Sequence, residues 1–232
     1  MAALEEIFAA GRSRLAEDPS VATLADPDIP VWAKLVVVPT MAFWVLSFAD
    51  AMALLRATAG STDMDARLRQ HAEEDAEHWR WFLADLEVLA ARGIGPGGRD
   101  GVLAMHWGPE TAPVRACAWT LHHLLRKHTD PVMRLAVLEA CEHGFEAFMN
   151  SIRPVVQASG DYVTLRYLGE VHDAAEGEHA LHEEADPFAD VDWSCRDAAM
   201  LHRDVGAMYA ALCGMHTCSD AAIRRAWRGG RD

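Results

Sequence analysis

One pattern occurs twice in this 232-residue chain: His71-x3-Asp75-x2-His78, and far downstream His172-x3-Glu176-x2-His179. At 100° per residue, an α-helix sets the acid about 40° and the second imidazole about 340° from the first, so all three share a face. In the first segment that face also carries Phe82, Leu86 and Leu89; in the second it carries Leu165 and Leu168. Apolar neighbours mark both faces as core-facing. A buried carboxylate without compensation is strongly unfavourable, so whatever fold the chain adopts must bring these groups to partners of their own.

A third segment adds one more inward acid. On a helix over 135–152, Leu138, Cys141, Phe145, Met149 and Ile152 form the apolar face, with Glu142 inside it. Glu139 and Glu146 flank that face, Glu146 standing in reserve. Asp50, in register with Phe43, Ser47 and Leu54, is an additional or outer candidate; Glu74 sits at the margin of the first face beside Trp81, and Glu73 and Glu77 point to solvent. A lone inward His is usually a hydrogen-bonded core residue, and a lone inward acid is often half of an ion pair. Four inward imidazoles and three inward acids, with no Lys or Arg at those registers, point instead to a metal. The other histidines, His182 among them, show no such pattern and read as structural or exposed.

Imidazole with carboxylate, and no inward thiolate at matching spacing, suits iron or manganese better than structural zinc. His172 and His179 stand roughly 10.5 Å apart along a helix axis, an uncomfortable reach for one ion. Two ions about 3.5 to 4 Å apart, bridged by carboxylates, accommodate them better. A mononuclear site using a subset of the ligands is the other arrangement left open.

The rest of the chain reads as helix. Ala, Leu, Glu, Arg and Met dominate, and hairpin signals flanked by alternating apolar residues are missing. The breakers predict helices near 3–16, 31–57, 63–92, 112–128, 131–153, 161–185 and 193–216, with Asp130 and Pro131 starting the fifth. The Gly-rich run at 93–101 reads as a connection. The expected organisation is one all-α domain over 1–232: an N-terminal arm and short helix to 30, a bundle over 31–217, and a tail over 218–232.

Charge narrows the partners. Twenty-one Lys and Arg against 35 Asp and Glu leave a formal −14, which disfavours nucleic acid and anionic membrane surfaces. The five cysteines show no Cys-x2-Cys spacing, the first residues lack the form of a signal peptide, and the longest uncharged run, Leu35 to Ala49, is short for a membrane span. A cytoplasmic protein is expected, and dimerisation is left open.

At these residues the sequence resembles the haem-oxygenase-like diiron oxidases, a branch of the superfamily that includes haem oxygenase, thiaminase II and pyrroloquinoline-quinone synthase types. Its members resemble this chain in having a helix with an acid and a downstream His (here Asp75 and His78), a middle helix with one Glu (Glu142), and a later helix with His-x3-Asp/Glu-x2-His (His172, Glu176 and His179). The stretch His-x2-Glu-Asp-x2-His-Trp-x-Trp-Phe-Leu-x-Asp-Leu at 71–86 is similar to a signature of the superfamily, and the likeness extends over roughly 30–215. Many members carry a Glu where this chain has His71, so either His71 replaces that ligand or Asp75 takes its duty.

The resemblance implies a haem-oxygenase-like bundle of about seven helices and a non-haem iron site, two ions in the full case. It implies O2-dependent oxidation of a small metabolite: N-oxygenation, desaturation, C–C cleavage or decarboxylation. The expected ligands are His71, Asp75, His78, Glu142, His172, Glu176 and His179, with Glu142 and Glu176 as the catalytic carboxylates. Phe43, Trp44, Phe82, Phe145 and Met149 are expected to line a dry pocket. Two alternatives from other classes are a non-catalytic metal or haem binder and a metal-free thiaminase-like or cofactor-synthase-like enzyme, for which Cys141 is the candidate nucleophile.

Overall fold

A computed structural model of the chain describes residues 2–96, 98–175, 187–189, 191–193 and 196–230, and among these every regular element is helical. Helix α1 (Ala2–Ala16) buries Leu4, Ile7, Phe8 and Leu15 along one stripe. Asp18 then caps α2 (Pro19–Ala25), accepting from the Ser20 amide at 2.9 Å with Pro19 in the first turn. Leu4, Ile7, Phe8, Leu15, Leu24 and Ile29 of this first stretch are all buried in the core.

The apolar stretch expected as one helix is three: α3 (Val31–Leu35), α4 (Val37–Thr40) and α5 (Ala42–Thr58). Pro39 lacks the N–H that a continuous helix would need there. By length and composition Val31–Thr58 could cross a bilayer, but 61% of its most apolar window is buried inside the protein, as befits a core element.

A reciprocal capping box between Thr62 and Asp65 starts α6 (Asp63–Glu74), which leads through a single 3₁₀ turn, Asp75–Glu77, into α7 (His78–Ala91). The Gly-rich connection is shorter than expected because α8 (Gly98–Trp107) begins within it. Helix α9 (Ala112–Lys127) follows, then α10 (Pro131–Ser159), capped by Asp130 and ended by Gly160 at φ 80°, a left-handed conformation that glycine adopts freely. Pro154 does not stop α10. It removes one helical bond, to the carbonyl of Asn150, a residue exposed to water.

Helix α11 (Ala198–Gly229) continues well past the expected end near 216, and its Ile223 is fully buried, so 218–229 is core helix rather than tail. It packs along α9, α10 and α1, while α5 lies against α6, α7 and α9, and α10 against α6. At Gly144 a Cβ would stand 2.9 Å from Leu212, so the missing side chain lets α10 and α11 close together. The buried apolar side chains form one cluster drawn from every helix but α8. The four described cysteines, Cys117, Cys141, Cys213 and Cys218, are free thiols.

One charged group in this core sets an acid limit on stability. Asp204 of α11 accepts from Lys127 at 2.5 Å, His128 at 2.9 Å and Arg203 at 2.9 Å. Burial alone would raise its pKa, but these bonds outweigh it and hold the carboxyl down to about 2. A folded-state pKa below the unfolded one stabilises above the unfolded value and is lost as pH falls through the folded one. Asp204 should therefore contribute about 2 kcal/mol that disappears between roughly pH 4 and pH 2. Urea unfolding across that window should show a shallower pH slope for Asp204→Asn than for the parent; equal slopes would remove the assignment.

Candidate metal centre

The site lies where α5, the α6–α7 junction and α10 meet. A continuous helix over 63–92 was expected; instead the 3₁₀ turn at Asp75–Glu77 interrupts it. In a 3₁₀ turn, residues i and i+3 eclipse, which stacks Asp75 against His78. Asp75 Oδ1 lies 3.3 Å from His78 Nδ1, and its other oxygen, Oδ2, lies 3.2 Å from His71 Nε2 one α-turn back. From α10, Glu142 Oε1 approaches the same His71 nitrogen at 3.4 Å. One carboxylate thus spans two imidazoles, and a second closes from the neighbouring helix.

These spacings suit a cation. Bonds of about 2.1 Å to nitrogen and oxygen hold the ligand atoms of one ion roughly 3 to 4 Å apart. One ligand atom each from His71, Asp75 and Glu142 fall within 4.8 Å of one another, and all three residues are partly buried. The donor set is hard oxygen plus imidazole, which fits iron or manganese.

His172 reaches the site by an unexpected route. Leu165 and Leu168 are buried as expected, yet 161–169 is a run of turns, and helix resumes only at 170–175. The segment's amides find partners outside any helix. The Asp161 carbonyl accepts from Thr164 and Leu165, both at 2.8 Å. Asp85, fully buried on α7, accepts from the amides of Arg166 at 2.6 Å, Tyr167 at 3.0 Å and Leu168 at 2.9 Å. Burial pushes the Asp85 carboxyl up to about 6, against the opposing pull of those three amides and of His172. The Tyr167 carbonyl then lies 2.7 Å from His172 Nδ1. A carbonyl only accepts, so Nδ1 carries the proton, and in the neutral ring Nε2 keeps its lone pair. On the next residue, Asp173 accepts from Arg153 through both oxygens and from the Tyr162 hydroxyl at 2.6 Å.

The His172 ring meets His78 edge-on, with centroids 4.6 Å apart, and Trp81 stacks on His78 at 4.6 Å. Of the expected ligands, His71, Asp75 and Glu142 bring one ligand atom each within 4.8 Å of one another, His78 adjoins Asp75, and the His172 ring touches that of His78. Glu176 and His179 lie outside the described residues. Asp50 and Glu146 are solvent-exposed and take no part, and Glu74 instead accepts from Gln70 at 3.0 Å. Phe43, Ser47 and Leu54, with which Asp50 shares a register, are only half-buried, and Glu146 stays on the flank of the α10 face. Among the histidines set aside, His122 bonds the Ser47 carbonyl, His128 bonds Asp204, and His143 lies between Arg12 and Tyr209.

Beside the cluster is a small cavity, about 40 Å³ of space open to water, walled by Trp44, Val45, Phe48, Trp79 and Phe145. Of the expected lining, Trp44 and Phe145 are in place. Phe43 faces outward against Trp107 and Trp119, Phe82 is buried against Tyr167, and Met149 is buried outside the cavity wall. The start of α5 at Ala42 turns Trp44 and Phe48 inward instead. Cys141 also borders the cavity, but burial pushes its thiol well above the ordinary value, which leaves it a poor nucleophile. Asp85 was missed in the sequence; the available signal was its position seven residues after His78, two turns along the same apolar face.

No family profile matches the chain, and no curated protein matches it. Among solved structures, the chain is similar to a domain of unknown function with a heme oxygenase-like fold from Shewanella denitrificans OS217. That likeness covers 98% of this chain and 91% of the other, at 16% identity and a TM-score of 0.44. At that level no residue role passes from one to the other. The class defined by the fold and site themselves is an all-α protein with a carboxylate–imidazole cluster beside an apolar cavity.

Proposed function

We propose that this protein is a non-haem iron oxidase or oxygenase of the haem-oxygenase-like diiron kind, acting with O2 on a small molecule. The observation that carries the reading is Asp75, whose two oxygens face two different imidazoles while Glu142 closes on the first. His71, Asp75, His78, Glu142 and His172 would hold the metal, with Glu176 and His179 completing the set for two ions. Iron in such a set supplies O2 activation and withdraws electrons from a bound molecule.

The chain's own residues supply the rest. Trp44, Phe48 and Phe145 line the cavity with apolar rings, beside which charges interact more strongly than in open solvent. The proton on His172 Nδ1 is engaged by the Tyr167 carbonyl, which leaves Nε2 for a cation. Glu142 has the most exposed side chain of the acid–imidazole cluster, 31% against 10% for Asp75, and so is the carboxylate best able to exchange a proton with a molecule at the mouth.

The test is anaerobic loading with ferrous iron, followed by metal analysis and exposure to O2. The expected result is close to two iron per chain, with O2 uptake and ferrous loss faster than for free ferrous ion in the same buffer. Iron that binds but oxidises no faster would favour storage or transfer. Failure to bind iron, with manganese retained under the same treatment, would change the metal.

A further inference from the structure

We propose that Asp85 is a positioning residue for the metal centre: through three backbone amides it aims the Tyr167 carbonyl at His172 and so sets the tautomer that offers Nε2 as a ligand. This inference rests on the reading of His172 as a ligand, and it extends that reading to a residue that touches neither the cavity nor any expected ligand directly.

The chain of contacts is short and buried at each step. Asp85 is 0% exposed and directs both carboxylate oxygens at consecutive amides of 166–168. No helix or strand ladder fixes the direction of the Tyr167 carbonyl, because 161–169 is irregular. The carbonyl therefore depends on how its peptide neighbours are tied down, and Asp85 ties the amides of Tyr167 and of Leu168, one on each side of the Tyr167 α-carbon. The Leu168 amide belongs to the same peptide plane as the Tyr167 carbonyl, so orienting that N–H orients the C=O in the opposite direction. His172 Nδ1 sits at the other end of that carbonyl, 2.7 Å away. Outer groups that orient a ligand imidazole commonly affect metal affinity by about 10- to 100-fold.

Nitrogen-15 NMR of the His172 ring, assigned with a His172→Gln variant, reads the tautomer in the metal-free chain. The wild-type ring should be protonated at Nδ1 when neutral. Asp85→Asn presents an amide N–H₂ toward donors, and should give a mixed tautomer and a ferrous dissociation constant raised about 10-fold or more. Tyr162→Phe, which loosens the 170–175 stretch through Asp173 without touching the Tyr167 carbonyl, should leave the tautomer as in wild type. An Nε2-protonated neutral ring in wild type overturns the proposal even if Asp85→Asn does not fold. So does an unchanged tautomer in a folded Asp85→Asn, or a tautomer that shifts equally in Tyr162→Phe. A wild-type chain that takes up no ferrous iron overturns the metal reading alone, and the Asp85 linkage is then decided by the tautomer.

Discussion

Glu142→Ala and His71→Ala are each expected to take away half or more of the ferrous iron bound per chain, whereas Glu146→Ala, one helical turn from Glu142 and exposed, should bind as much as the parent. The reason is geometric. His71 Nε2 lies within ligand spacing of both Asp75 and Glu142, so removing either end leaves two donors where three converged. A partly buried carboxylate and imidazole left without the cation must then find compensation from water or each other. The same loss is expected for Glu176→Ala and His179→Ala, and not for His182→Ala. Metal analysis after anaerobic loading and desalting separates these outcomes; equal iron in all the variants would dismantle the ligand set.

Gly169→Ala should destabilise the chain by about 3 kcal/mol or more and lower iron uptake with it. A Cβ at Gly169 would stand 2.0 Å from the Tyr162 carbonyl oxygen and 2.3 Å from that of Leu165, both backbone atoms that no rotamer change can move. The turn must open to admit it, and that turn carries the carbonyl facing His172. Gly206→Ala and Gly214→Ala are the matched controls, both inside α11 with nothing within 4 Å of an added Cβ. They should be neutral or stabilising by up to about 1 kcal/mol, since alanine is the better helix former. Urea midpoints for the three variants decide the matter; a Gly169→Ala chain as stable as the parent would show that the turn is loosely held.

Helical arithmetic carried much of the site, because the inward groups lie on amphipathic stretches whose apolar residues declare the buried side. His71, Asp75, His78 and Glu142 were legible that way. The 3₁₀ turn was not: Asp75-Ala-Glu77 contains no Gly or Pro, and nothing local distinguishes it from regular helix. The stretch 161–169 misled because Leu165 and Leu168 fit a helical period, while its amides are satisfied by an acid on another helix, a tertiary fact invisible to a local window. Gly160 and Gly169 were the warnings. At Pro154 the opposite error arose, since one missing bond at a solvent-facing carbonyl is cheap for a 29-residue helix. Asp50 failed because the start of α5 is set by packing after Pro39, and its exposed face includes that acid.

The tight turn at Asp75–Glu77 ties the spacing of Asp75 and His78 to everything downstream of it. Three residues wound at about 120° rather than 100° rotate the rest of the helix by roughly 60° and push it about 1.5 Å along the axis. Phe82, Asp85 and Leu89 are buried in that rotated frame. Inserting or deleting a residue between Asp75 and His78 would swing all three out of their seats, so the interval between these two groups is fixed by the packing of α7 as much as by the cluster itself.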